Sequence, residues 1–256
     1  MSQPADALLD VRDLHRQFGG VRAVNGASFA VPPGQITGLI GPNGAGKSTV
    51  LNIVAGALRP DSGTVSYRRK NITGLPSYKV ARQGIVRTFQ ISSEFAALTV
   101  LENLLVALPA QRGERLWQAA LGKRYWKAQE RTNVERARAL LARFDMSAKE
   151  DEYAGNLSGG QKRLLELMRG LMAEPALLLL DEPMAGVSRP LARRIEQHLL
   201  ELVAEGLTML MIEHELAVVE RLCDPVVVMA QGRVISHGTM ANVRADQEVL
   251  DAYLIG

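Results

Sequence analysis

Residues 41–49 read GPNGAGKST, and this stretch constrains the fold more than any other part of the chain. It fills the pattern G-x-x-x-x-G-K-[ST] completely. The apolar run QITGLIG leads into it, and a helical pattern over residues 47–55 follows. A strand, a glycine-rich loop and a helix in that order belong to an α/β sheet, with the loop at the strand's carboxyl end. Glycine lets the backbone close tightly around a phosphate chain with its N–H groups turned inward. The candidate phosphate contacts are therefore Gly41, Pro42, Asn43, Gly44, Ala45, Gly46, Lys47, Ser48 and Thr49. In this pattern Lys47 reaches the β- and γ-phosphates, and the Ser48 hydroxyl ligates Mg²⁺.

The flanking sequence supplies the sheet that such a loop needs. ALLDVRDL and ASFAVPPG read as strands, the second closed by the turn signal Pro32-Pro33-Gly34. Asp61-Ser62-Gly63 marks another turn before a strand over residues 64–67, and GIVRTFQ reads as a short strand ending at Gln90. Between residues 91 and 173 the character changes. TVLENLLVAL and residues 132–144 carry apolar residues at helical spacing, with no clear strand between them. We read this part as a helical subdomain inserted into a core formed by residues 7–90 and 174–256. Alternation then returns: ALLLL, a helix over 190–205, TMLMIE, a helix over 216–222, and PVVVMA. Strands alternating with helices imply a parallel sheet covered on both faces. The tail RADQEVLDAYLIG reads as one short amphipathic helix.

Composition narrows the function classes. With 256 residues, 47% hydrophobic and 22% charged, the chain fits one elaborated globular domain. Lys and Arg outnumber Asp and Glu by only three, and they are spread along the chain, unlike the basic patch of a nucleic-acid binder. Residues 109–131 are basic and hold Trp117 and Trp126. They read as an extra helix packed on the subdomain, with a membrane-surface or nucleic-acid contact as the alternative. Cys223 is the only cysteine, which excludes an intrachain disulfide. The N-terminal MSQPADALLDVRD lacks an apolar signal core. The longest apolar runs, such as residues 176–180 and 226–230, are too short to span a bilayer, so a membrane role is expected to come through a partner.

Two further segments carry chemistry. In ALLLLDEP an apolar strand ends on Asp181, where ligands of open α/β sheets gather. Asp181 is a candidate for holding Mg²⁺, and Glu182 for polarising an attacking water; capping the next helix is the alternative for both. In NLSGGQ, Ser158 precedes a helical run, so an N-cap and a tight turn explain it without any ligand.

GPNGAGKS, LSGGQ and LLLLDEP, in this order, resemble the ATP-binding subunits of ABC transporters, and the resemblance covers nearly the whole chain. It implies a P-loop NTPase core with a mostly parallel sheet, an antiparallel β subdomain and an inserted α-helical subdomain. It also implies ATP and Mg²⁺ as cofactors. In this family the signature loop faces the γ-phosphate held by the other cassette of a head-to-tail dimer, which assigns Ser158, Gly159, Gly160 and Gln161 as ligands in trans. Gln90 falls at the family's Q-loop position near Mg²⁺, and His214, in MIEHEL, at the switch histidine. Phe18, in RQFGGVRAV, matches the aromatic that stacks on adenine, with a core position as the alternative. The resemblance is weakest after Pro183, where the family's D-loop ends in Leu-Asp or Leu-Asn. This chain reads Met184-Ala185-Gly186-Val187-Ser188.

FGGVRAV, GIVRTFQ, IEHEL and EVLDAYLIG are similar to the branched-chain amino-acid importer ATPases within that family. The subgroup implies a second ATPase subunit, multi-span permease subunits and, indirectly, an extracytoplasmic solute-binding protein, at the cytoplasmic face of the inner membrane. Urea or amide importers and lipopolysaccharide-export ATPases are close in sequence. A soluble, non-transport ABC ATPase is the reading from another class.

Overall fold

The computed structural model describes residues 7–88, 95–108 and 123–255. They divide into two compact units. The first is residues 1–87, 175–185 and 196–256; the second is residues 88–174 and 186–195.

Two sheets build the first unit. The strands are β1 (Leu9–Phe18), β2 (Val21–Val31), β3 (Ile36–Ile40), β4 (Ser62–Tyr67), β5 (Lys70–Asn71), β6 (Ile85–Arg87), β7 (Leu177–Asp181), β8 (Thr208–Ile212), β9 (Val226–Ala230) and β10 (Arg233–Gly238). One sheet has the order β2-β1-β4-β5 and is antiparallel throughout. The other has the order β10-β9-β3-β8-β7-β6, parallel from β9 to β6 with β10 antiparallel at its edge. In β3, β7 and β8 all five residues are buried, which is why they read as mostly apolar runs: a parallel strand is covered on both faces. Burying each leucine of LLLL contributes about 1.5–3 kcal/mol relative to exposure. The helix Lys47–Val54 packs with both sheets. Its Val50, Leu51, Ile53 and Val54 join a core with Val11 and Leu14 of β1 and Leu177, Leu210 and Val227 of the parallel sheet.

β10 is absent from the sequence reading. RVISHG has only partial burial, and its polar residues leave no apolar run to mark it. The tail also differs from expectation, forming two helices, Met240–Ala245 and Gln247–Ile255, with extended backbone at Asp246 between them. Thr239 caps the first by accepting from the Asn242 N–H.

Helices dominate the second unit: Val100–Val106, Lys123–Arg143 and Gly159–Met172. Thr99 and Glu102 form a reciprocal capping box at the first of them. Asn103 is fully buried, and its amide accepts from the Phe95 N–H and donates to the Phe95, Leu98 and Thr99 carbonyls, fixing the entry to that helix. Trp117 and the rest of residues 109–122 lie outside the described residues, as does Gln90.

Cys223 is buried, and its thiol is pushed up to about 12 by burial, with the Glu213 carboxylate adding to the effect. At pH 8 the thiolate fraction is then roughly one in ten thousand. Native protein is expected to resist maleimide at pH 8 for hours and to label within minutes in denaturant. Rapid native labelling would mean that the contact of Cys223 with Gly38, where an added Cβ would lie 3.0 Å from the cysteine Cβ, opens readily.

Candidate functional site

The loop between β3 and the helix Lys47–Val54 depends on glycine at defined points. Gly41 has φ 144°, and a Cβ there would lie 2.0 Å from the Met229 carbonyl oxygen. Gly46 has φ 99°, and its Cβ would lie 2.2 Å from the Ala23 carbonyl oxygen. Neither position accommodates a side chain without moving backbone. Gly46 is also the N-cap residue, so no side chain caps this helix, and no acidic residue occupies its first turn. The first-turn amides and the helix dipole are therefore left to an anion.

Lys47 is buried, and its Nζ donates to the carbonyls of Gly41 (2.7 Å) and Pro42 (2.9 Å). Burial lowers its pKa, and the Glu182 and Asp181 carboxylates oppose that shift. Ser48 and Thr49 are partly exposed at the helix start.

Asp181 closes β7 with its side chain fully buried. Its Oδ2 accepts from Arg87 Nη2 at 2.8 Å, while Oδ1 is buried without a hydrogen-bond partner. An orphaned carboxylate oxygen is costly unless something fills its lone pairs. A hard, oxygen-seeking cation such as Mg²⁺, directly or through its water, fits that donor. Among the described residues no three His, Cys, Asp or Glu gather to hold a metal.

Glu182 follows in the left-handed region, φ 49°, with its N–H held by the Ile212 carbonyl of β8. A non-glycine residue in this region is strained and persists only where its surroundings over-determine it. The turn brings Glu182 Oε1 to 2.6 Å from His214 Nε2, across 32 residues of chain. Parallel pairing of β7 with β8 sets Asp181 beside Ile212, so both catalytic candidates leave the sheet at the same end. His214 is partly exposed and Glu182 less so, which gives the pair access to solvent.

Glu213 was not among the sequence candidates. It is buried between these residues, with Oε1 accepting from the Met184 N–H (3.1 Å) and Oε2 from the His214 N–H (3.2 Å). Burial raises its pKa, and those two N–H groups pull the other way. A carboxyl beside His214 in MIEHEL is visible in the sequence, but its inward orientation is not. Arg87 was also passed over within GIVRTFQ, and its ion pair with Asp181 spans 94 residues.

Phe18 lies at the end of β1 with 47% of its surface exposed, so it is not a core residue. The Arg16 guanidinium stands 4.8 Å from its ring centroid.

In the second unit, Ser158 caps the helix Gly159–Met172. Its side chain accepts from the Gln161 N–H, and Gln161 Oε1 accepts from the Ser158 N–H at 2.9 Å. Ser158 and Gly159 are exposed, and an added Cβ at Gly159 would meet nothing within 4 Å. At Gly160 it would lie 2.4 Å from a Leu191 methyl.

Residues 24–185 match the family model described as ABC transporter. The chain belongs to the ABC transporter family. This ABC chain is 40% identical over 247 residues to the "probable branched-chain amino acid transport ATP-binding protein LivG" of Archaeoglobus fulgidus, covering 96% of this chain and 95% of that protein. It is 37% identical to the "high-affinity branched-chain amino acid transport ATP-binding protein LivG" of Escherichia coli, over 99% of both. Among solved structures it resembles a nucleotide-free ATP-binding cassette from an ABC transporter. The TM-score is 0.83 and the identity 38%, over 96% of this chain and 98% of the other. The ADP conformation of an ATP-binding cassette matches equally well, with a TM-score of 0.83 at 38% identity over 97% and 98%.

Proposed function

We propose that this ABC chain is the ATP-hydrolysing subunit of an importer for branched-chain amino acids, working as a dimer of cassettes beneath membrane-spanning permease subunits. The observation that carries the hydrolytic part is the Glu182–His214 pair, held at 2.6 Å beside the phosphate loop and its lysine. The relatives' names support the substrate class, and the import direction rests on the family resemblance. No helix among the described residues is long and apolar enough to cross a membrane, which leaves the transport path to other subunits.

Lys47 and the first-turn amides bind the phosphates, Asp181 and Ser48 hold the cation, and Phe18 offers an aromatic platform to the base. Gln90 joins the cation site on the family resemblance alone. Mg²⁺ supplies charge neutralisation to the phosphates when bound. Glu182 accepts hydrogen bonding from the attacking water, and His214 fixes the carboxylate's orientation. Ser158, Gly159, Gly160 and Gln161 act on nucleotide held by the partner cassette, so each chain contributes half of two sites. Nucleotide favours the closed dimer because it touches both halves only there.

The test is purification of the full chain from native membranes, followed by reconstitution with its co-purifying permease. ATP-dependent leucine uptake, lost on removing the extracytoplasmic binding protein, is the expected result. ATP-dependent uptake of urea, or none of leucine, would correct the substrate. Recovery with ribosomes and without a membrane protein would overturn the transport reading.

A further inference from the structure

A fully buried carboxylate is costly unless its oxygens are partnered. Asp181 is such a group, and the cation beside it is Arg87. The register of β6 on β7 sets Arg87 abreast of Leu179, two residues before Asp181, from where the long side chain reaches Oδ2. Its other terminal nitrogen, Nη1, donates to Asn52 Oδ1 on the helix Lys47–Val54, and its Nε is buried without a partner. One guanidinium thus bonds both the strand that ends in the metal carboxylate and the helix that opens on Lys47 and Ser48.

An apolar pair of similar volume stabilises a core as well as a buried ion pair, so stability alone accounts poorly for this arrangement. The division of labour on Asp181 accounts for it better. With Oδ2 taken by Arg87, the carboxylate cannot swing, and Oδ1 is the oxygen left open.

We propose that Arg87 is a positioning residue for the cation site: by bonding Oδ2 it holds the Asp181 carboxylate with Oδ1 free and, through Asn52, keeps that carboxylate in register with the phosphate helix. The inference rests on the Mg²⁺-nucleotide reading above. Partners of this kind change metal affinity by about 10–100-fold when removed.

The readout is Mn²⁺ binding to the full chain in the presence of ADP, followed by electron paramagnetic resonance, with nucleotide binding in EDTA measured in parallel. Arg87→Met is expected to weaken Mn²⁺ binding by at least about 10-fold while ADP affinity in EDTA changes less than about 2-fold. Arg87→Lys should recover part of the loss. In an Asp181→Asn background, Arg87→Met should add little, because the carboxylate that it positions is gone. If Arg87→Met does not fold, Asn52→Leu keeps the charge and removes only the second anchor, and about 3-fold weaker Mn²⁺ binding is expected. Wild-type protein that binds ADP but no Mn²⁺ would overturn the metal reading and this inference together. Wild type that binds Mn²⁺, with variants that bind it equally well, overturns the role of Arg87 alone. Equal losses of Mn²⁺ and EDTA-state ADP binding would also overturn it, by reducing Arg87 to general support of the fold.

Discussion

Glu182→Gln is expected to lower steady-state ATP hydrolysis by at least about 100-fold while leaving MgATP binding intact. The substitution preserves shape and keeps an acceptor for His214, so the 2.6 Å contact survives as a neutral hydrogen bond. It removes the negative charge that the proposed mechanism uses to polarise water. A 100-fold loss corresponds to about 2.7 kcal/mol of barrier. On the proposed mechanism nucleotide binding draws on Lys47 and the loop amides, so the variant should close on MgATP and stay closed. Size-exclusion chromatography with MgATP is the check, and the expected species is a dimer that dissociates when ATP is replaced by ADP. A variant that remains monomeric with MgATP, or hydrolyses at near wild-type rate, removes Glu182 from the mechanism.

Ser158→Arg tests the contribution across the dimer. Hydrolysis should fall by at least about 100-fold, while the isolated monomer binds ATP within about 2-fold of wild type. Lys47→Ala is the contrast and should weaken monomer binding by 10-fold or more, because it removes a buried cation from the phosphate loop. The capping box adds a complication: losing the Ser158 cap costs about 1 kcal/mol of helix stability, enough to blur the result. Ser158→Asp resolves it. Aspartate caps a helix as well as serine does, yet it sets a negative charge where the partner's phosphate is expected. Hydrolysis lost in Ser158→Asp at unchanged melting temperature cannot be a folding defect. If either variant weakens monomer binding as much as Lys47→Ala does, Ser158 acts on its own chain's nucleotide.

Both predictions concern residues that the sequence already marked, and the reason is local. GPNGAGKST is recognisable because its glycines take backbone angles that side-chain residues rarely adopt, φ 144° at Gly41 and 99° at Gly46. Asp181 and His214 stood out because one ends a buried strand and the other lies two residues past the next, and burial on two faces makes such strands mostly apolar. The same logic hid β10, whose edge position leaves half of it polar. Ser158 was legible twice over, as a cap and as a signature residue, and the capping geometry is present in the chain by itself.

Sequence alone determined the chemistry on offer: a phosphate loop, two carboxylates at a strand end, a histidine after the next strand, and a signature turn. It determined the sheet order only as far as alternation does, and it left the character of Phe18 open. Tertiary structure decided which of these groups touch. Pairing of β7 with β8 brings Glu182 against His214, Glu213 turns inward to hold the Met184 and His214 amides, and Phe18 stands exposed. Pairing of β6 with β7 carries Arg87 to Asp181 and leaves Oδ1 open. The physical reason is range. Backbone conformation answers to neighbours a few residues away, so sequence records it, whereas a buried charge is satisfied by whatever the sheet register delivers from a distant segment.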